Sequence, residues 1–212
     1  MKKFLAFLLV AAMVLTLVAC GGGTTTEDPA ADTTADGAKV VLLLSAAGTL
    51  DDGAFNTACY AGVKEYCEAN NLTYNYYQPT EDTVEAQLAQ CDVAVAAGAE
   101  FIIINSDQFK LSSVYMENNY PDVTFIIYDT VPTDESGNTV VNSNLKAITF
   151  AEEQCAYIAG YAAVKDGYTK LGYFGGMPVP AVVRFGYGYV EGINQACEDL
   201  GIDKVDVWYT YF

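Results

Sequence analysis

Short apolar runs alternate with helical stripes along most of this chain, and that alternation restricts the possible fold more than any other feature. Val40-Val41-Leu42-Leu43-Leu44 is a continuous apolar run, as suits a strand buried on both faces. Beyond the turn Gly48 to Gly53, the residues Phe55, Cys59, Gly62, Val63, Tyr66 and Cys67 recur at helical spacing, with Asp51 or Asp52 placed to cap the first turn. Leu72 to Tyr77 predicts a strand, and Val84, Leu88, Cys91 and Val95 predict a helix closed by Gly98. Phe101 to Ile104 predicts a buried strand, followed by a helix from about Leu111 to Asn119 and a strand from Thr124 to Tyr128. The polar stretch 131–144 reads as a surface loop leading to a domain crossover.

The pattern then restarts. A helix from about Ala151 carries Cys155, Ile158, Ala159 and Ala162, and the strand Lys170 to Phe174 ends at Gly175-Gly176. Val183, Gly186, Val190, Ile193, Cys197 and Leu200 mark the next helix, and Val205 to Tyr211 the next strand. Strands and helices in this order, with short connections, predict an α/β protein with parallel sheets covered on both sides. Ligands of such sheets bind beyond the carboxyl ends of the strands. Attention therefore falls on residues 45–56, 105–109 and 129–132. The expected domains are a first α/β lobe over 39–147 and the start of a second over 148–212. The second is expected to be truncated, because so few elements leave an apolar face and edge open.

The front of the chain predicts an address rather than a domain. Lys2 and Lys3 precede an apolar run from Phe4 to Val18, too short to span a bilayer and right for a signal peptide over 1–19. Leu17-Val18-Ala19-Cys20, followed by Gly21-Gly22-Gly23, resembles the lipobox of bacterial lipoproteins. That resemblance implies acylation of Cys20, such as by palmitate, and a lipid anchor on the extracytoplasmic face of the cell membrane. The segment Thr24 to Gly37 lacks large apolar side chains and reads as part of a flexible tether over 20–38.

The formal net charge is −17, and loss of Lys2 and Lys3 with the signal peptide takes it two lower, to −19. Such a surface repels phosphate backbones and anionic headgroups, so nucleic acid is not an expected partner, and the membrane is met only through the anchor. The sequence has no histidine, which excludes Ser-His and Cys-His nucleophile pairs and His-containing zinc sites within this chain. No GxSxG motif occurs either, so an enzyme is not expected. Cys59, Cys67, Cys91, Cys155 and Cys197 lack CxxC spacing, and four of them lie on apolar helical stripes. They read as buried thiols rather than ligands, and no metal or cofactor is expected.

Some motifs invite stronger readings. Gly186-Tyr187-Gly188-Tyr189-Val190-Glu191-Gly192 lies inside a helical stripe instead of directly after a strand, so close packing of the helix on the sheet is expected and a dinucleotide site is not. Asp51-Asp52 reads as turn and cap. Phe55-Asn56 sits at a helix start beside the predicted ligand mouth, where a ring can stack on a flat ligand and an amide can meet its polar edge. Taken alone, Phe55 is equally a core residue. Asp129 ends a strand at the same mouth, and equally serves as a cap.

Four segments, in order, carry a resemblance over Lys39 to Phe212. They are Leu50-Asp51-Asp52-Gly53-Ala54-Phe55-Asn56 with Gly62; Tyr120-Pro121-Asp122-Val123-Thr124-Phe125 leading to Asp129; Tyr157-Ile158-Ala159-Gly160; and Gly175-Gly176-Met177 through Arg184-Phe185-Gly186-Tyr187-Gly188-Tyr189. Together they resemble the basic-membrane-protein family, which includes the purine nucleoside receptor type of ABC-transporter substrate-binding lipoprotein. The resemblance implies a type I periplasmic-binding-protein fold, with two lobes of parallel, Rossmann-like sheet closing on a small solute and presenting it to ABC permease subunits. It implies a base sandwiched between two rings, the first being Phe55 with Asn56 beside it. Asp129 is then a polar contact, and the second ring is Phe212, with Phe185 as the alternative. Ser45-Ala46-Ala47-Gly48 and Asn105 to Phe109 depart from the family pattern at the mouth. An exported ligand sensor of the same fold, or a binder of a sugar-like molecule without transport, is the competing expectation.

Overall fold

The computed structural model describes residues Gly37–Phe212. The signal-peptide run, Cys20 and most of the predicted tether lie outside the described residues.

Four of the five strands of the larger sheet are the predicted apolar runs: β1 (Val40–Leu43), β2 (Tyr74–Tyr77), β3 (Phe101–Ile104) and β4 (Thr124–Tyr128). The fifth, β5 (Leu145–Ile148), falls at the end of what reads in sequence as a loop and crossover. It carries Lys146, has only four residues and lies at the sheet edge, so it shows no apolar run to announce it. All neighbours pair in parallel, in the order β2-β1-β3-β4-β5. The order reverses direction between β1 and β3, which makes that gap the topological switch point.

The helices are α1 (Phe55–Ala69), α2 (Val84–Ala96) and α3 (Ser112–Asn119), with a short 3₁₀ turn over Asp107–Phe109. Asp52 organises the start of α1, where its Oδ1 accepts from the Ala54 amide at 2.7 Å and from the Thr57 hydroxyl at 3.1 Å. Thr83 caps α2 by accepting from the Ala86 amide at 3.2 Å. One face of the sheet is closed by α2 and α3 over Val41, Leu43, Ile102, Ile104, Phe125 and Ile127. Burial of each such side chain contributes about 1.5–3 kcal/mol.

The opposite face is only half covered. There α1 lays Val63 and Cys67 over Val40, Leu42 and Tyr74, but no described helix lies over β3, β4 and β5. The helical stripe predicted for α1 is split accordingly. Val63 and Cys67 are buried, whereas Phe55 and Tyr66 remain exposed and wall a groove of about 580 Å³ with Ile126, Tyr128, Ile148 and Phe150.

Beyond β5 come α4 (Glu152–Lys165), β6 (Lys170–Gly175), α5 (Pro180–Leu200) and β7 (Asp206–Tyr211). Pro180 stands in the first turn of α5, and Gly201 ends the helix in the left-handed conformation, φ 63°. Strands β6 and β7 form a separate parallel pair. One face of the pair meets α5 through Leu171 and Val207; the other leaves Trp208 82% exposed. The glycines of α5 serve two contacts rather than the sheet alone. A Cβ at Gly186 would strike Tyr173 and Tyr209 of the sheet, but at Gly188 and Gly192 it would strike the α4 backbone.

The cysteines are free among the described residues, and only Cys67 and Cys91 are fully buried. Cys155, predicted on an apolar stripe, is exposed instead, because α4 turns its other side to α5 through Ala156, Gly160 and Val164. Among the described residues no helix is long and apolar enough to cross a membrane.

Candidate functional site

The switch point is built from amides. The β1 end, the β3 end and the start of α1 converge there, and each leaves a backbone or side-chain group in need of a partner. Asn105 accepts from the Ser45 amide at 2.8 Å and donates to Asn56 Oδ1 at 2.9 Å, while Asn56 donates to the Ala47 carbonyl at 3.1 Å. Asn56 is 2% exposed and Asn105 fully buried. The sequence reading expects Asn56 to face a ligand, whereas in the structure its amide holds the turn after β1. Gly48 completes that turn with φ 79°, where a Cβ would come within 3.0 Å of Asp52 and 3.3 Å of Asn56. Asn56→Ala strands the buried Asn105 amide, so a loss of about 1–3 kcal/mol in stability is expected by chemical denaturation. A loss near zero would mean that the network carries no weight.

Two hollows flank this point. The first is the apolar groove of α1, where the half-exposed Phe55 ring meets Tyr128 edge-on, centroids 5.9 Å apart. Burial raises the Tyr128 hydroxyl and the Cys59 thiol beside it above their ordinary values, which favours the neutral form of both.

The second hollow, of about 240 Å³, lies between the segments that follow β3, β4 and β5 and the start of α5. Asp107, Lys110, Asp129, Thr130, Thr149 and Arg184 are among its lining residues. Asp107 accepts from the Thr130 hydroxyl at 2.7 Å and meets the Lys110 ammonium at 3.4 Å. Glu152, 5% exposed at the start of α4, takes Nε and Nη2 of Arg184 at 2.6 and 3.1 Å. This bidentate partner holds the Glu152 carboxyl below its ordinary value against the opposing effect of burial. Asp129 adopts the left-handed backbone, φ 72°, which turns it off the end of β4. Burial first, then the neighbouring Glu152 charge, raise its carboxyl above the ordinary 3.8.

The predicted residues are thus divided. Phe55 lines the apolar groove and Asp129 the charged hollow, which adjoin at Tyr128–Asp129 and again at Ile148–Thr149–Phe150. Phe212 follows β7, is 86% exposed, and sets its ring on Phe174 at 4.3 Å. Phe185 projects from the second turn of α5, 39% exposed. Neither ring lines these two hollows. Glu152, Arg184, Lys110 and Thr130 were not singled out as site residues by the sequence reading. Arg184 lies within the fourth family-like segment and Thr130 within the flagged stretch 129–132, whereas Glu152 and Lys110 carry no signal but position, at a predicted helix start and just beyond the flagged stretch 105–109. Among the described residues no group of acidic and cysteine side chains is arranged to hold a metal ion.

Comparison with known proteins bears on family and fold. The family described as ABC transporter substrate-binding protein PnrA-like matches residues 39–210. The chain is 29% identical over 168 residues to the ABC transporter nucleoside-binding protein BmpA of Lactococcus lactis subsp. cremoris, covering 77% of this chain and 44% of that protein. It is 28% identical over 156 residues to basic membrane protein A of Borreliella burgdorferi, covering 73% and 44%. Among solved structures, an ABC transporter solute-binding protein from Aeropyrum pernix K1 superposes with a TM-score of 0.67 at 20% identity, over 81% of this chain and 47% of that one. That likeness establishes the fold as type I periplasmic-binding-protein-like. The chain spans just under half the length of these relatives.

Proposed function

The chain belongs to the ABC transporter substrate-binding protein PnrA-like family, and from that premise we propose that it captures a small solute, a purine nucleoside, between two lobes for delivery to an ABC permease. The proposed lobes are residues 39–147 and 148–212. The observation that carries the reading is the charged hollow. It sits at strand carboxyl ends, its far wall is formed by Pro180 and Arg184 at the start of α5, and it gathers hydroxyl, carboxylate and cationic groups suited to a polyhydroxylated ligand. The proposed contacts are Asp129 for the polar part and Phe55 for the flat ring, opposed by Phe212 or by Phe185. Asn56 acts by holding the turn beneath them. The lining residues offer binding groups without an activated nucleophile, and we propose no catalysis.

A name adds support: the Lactococcus relative is called nucleoside-binding. Calorimetric titration with adenosine, guanosine, inosine and a panel of sugars tests the proposal. Heat from nucleosides and none from sugars is expected; heat from sugars alone would replace the proposed ligand class. The address is proposed as the outer face of the cell membrane through acylated Cys20. The whole chain is expected to partition into the detergent phase, and Cys20→Ser to shift it to the aqueous phase.

A further inference from the structure

The sequence holds one arginine among its ten basic residues, and the fold places it at the charged hollow. Arg184 stands one turn into α5 and lines that hollow with Asp107, Lys110, Asp129 and Thr130. Its Nε and Nη2 are held by Glu152 at 2.6 and 3.1 Å, so the guanidinium plane is fixed by a carboxylate that is itself only 5% exposed. Nη1 meets no protein acceptor among the described residues, and 35% of the side-chain surface stays open. A lysine ammonium has no such fork: it cannot meet one carboxylate with two nitrogens and aim a third elsewhere. Charge around the hollow is not in balance. Lys110 is met by Asp107 and Arg184 by Glu152, while the charges of Asp129 and Glu153 also reach Arg184. Four carboxylates thus face two cations, and the hollow offers a fixed donor without spare positive charge.

We propose that Arg184 contacts the captured solute, donating from Nη1 to one of its oxygens, and that Glu152 is the positioning residue that aims Arg184 and offsets its charge. The inference rests on the capture reading above and deepens it. A hydroxyl or carbonyl oxygen gains a charge-assisted hydrogen bond whose donor is already oriented, so little ordering is left for binding to oppose. A phosphate gains the same bond but meets the surrounding carboxylates with no free cation to offset them. The site therefore favours an uncharged, oxygen-rich solute over its phosphate ester.

Because Arg184 is the only arginine, phenylglyoxal labelling of the full chain is read at one bond: after denaturation, trypsin fails to cut between Arg184 and Phe185 wherever the guanidinium is blocked. Each nucleoside and sugar of the titration panel is added in turn before labelling. A solute at about ten times its dissociation constant is expected to slow labelling about tenfold, since only the empty site reacts. Protection by a sugar and not by nucleosides would keep Arg184 and replace the ligand class. Nucleoside heat without protection would overturn the Arg184 contact and leave the capture reading standing. No protection by any member of the panel would overturn the proposal. Affinities separate contact from mere shielding by closure. Arg184→Lys keeps the charge and loses the fork, and is expected to weaken adenosine by about 10- to 100-fold, the range for a hydrogen bond to a charged group; unchanged affinity would overturn the contact. Glu152→Gln leaves Arg184 as an unpaired cation, and is expected to narrow the preference for adenosine over adenosine 5′-phosphate by about tenfold or more. Where only a sugar protects, that sugar and its phosphate ester take their place. A purely structural ion pair would leave the ratio unchanged, which would overturn the role of Glu152.

Discussion

Replacing Gly188 and Gly192 together by alanine is expected to destabilise the chain, by about 1–3 kcal/mol per site, reversing the usual effect of the change. In an open helix, glycine to alanine contributes about 1 kcal/mol of stability, because alanine has the better helix propensity. In α5 the new methyl groups have no room. A Cβ at Gly188 would lie 2.2 Å from the Glu153 carbonyl oxygen, and at Gly192 2.0 Å from that of Tyr157. Both obstacles are backbone atoms of α4, so no rotamer change relieves them and the helices must separate. Gly160 of α4 reciprocates, since its Cβ would meet the Tyr189 carbonyl oxygen at 2.2 Å. Gly62 of α1 is the matched control. No atom lies within 4 Å of its hypothetical Cβ, so Gly62→Ala is expected to raise stability by about 0.5–1 kcal/mol. Urea denaturation of the variants decides the matter. An unchanged or raised midpoint for the double variant would mean that α4 and α5 are not in backbone contact.

Phe55→Ala is expected to weaken nucleoside binding by about 10- to 100-fold while leaving the melting temperature nearly unchanged, since stacking a base on an aromatic ring is worth about 1–3 kcal/mol. The ring is 43% exposed. Its ring meets Tyr128 edge-on, a contact worth about 0.5–1.5 kcal/mol beyond the area it buries. Calorimetry and thermal melting on the same samples separate the two roles. Full affinity in the variant with a large drop in melting temperature would make Phe55 a packing residue. The structure sharpens what is at stake. Phe55 faces the apolar groove and Asp129 the charged hollow, so a ligand touching both must lie across the border formed by Tyr128–Asp129 and Ile148–Thr149–Phe150.

That division was not legible in the sequence. Position after a strand places Phe55, Asn56 and Asp129 at one mouth, and all three are near the strand ends. Which way each side chain points depends on backbone turns that no periodicity reports. The left-handed Asp129 joins the hollow that Arg184 of α5 also lines. Asn56, one residue from Phe55 on α1, falls on the helix side that faces Asn105 and is spent on the turn. Arg184 and Glu152 lie 32 residues apart and meet only because α5 crosses α4.

What the sequence determined by itself was the list of elements and their class. Apolar runs and helical stripes reflect local periodicity, and β1, β3, β4 and α5 appear nearly where their patterns put them. Tertiary structure alone decided the place of β5, which has no apolar signature and is recruited by pairing with β4. It also decided that the α5 glycines serve a helix contact as well as the sheet, and that two hollows rather than one flank the switch point. The physical reason is one of range. Propensity and amphipathicity act over a few residues, whereas pairing, close approach and ion pairs such as Glu152–Arg184 depend on where distant segments cross.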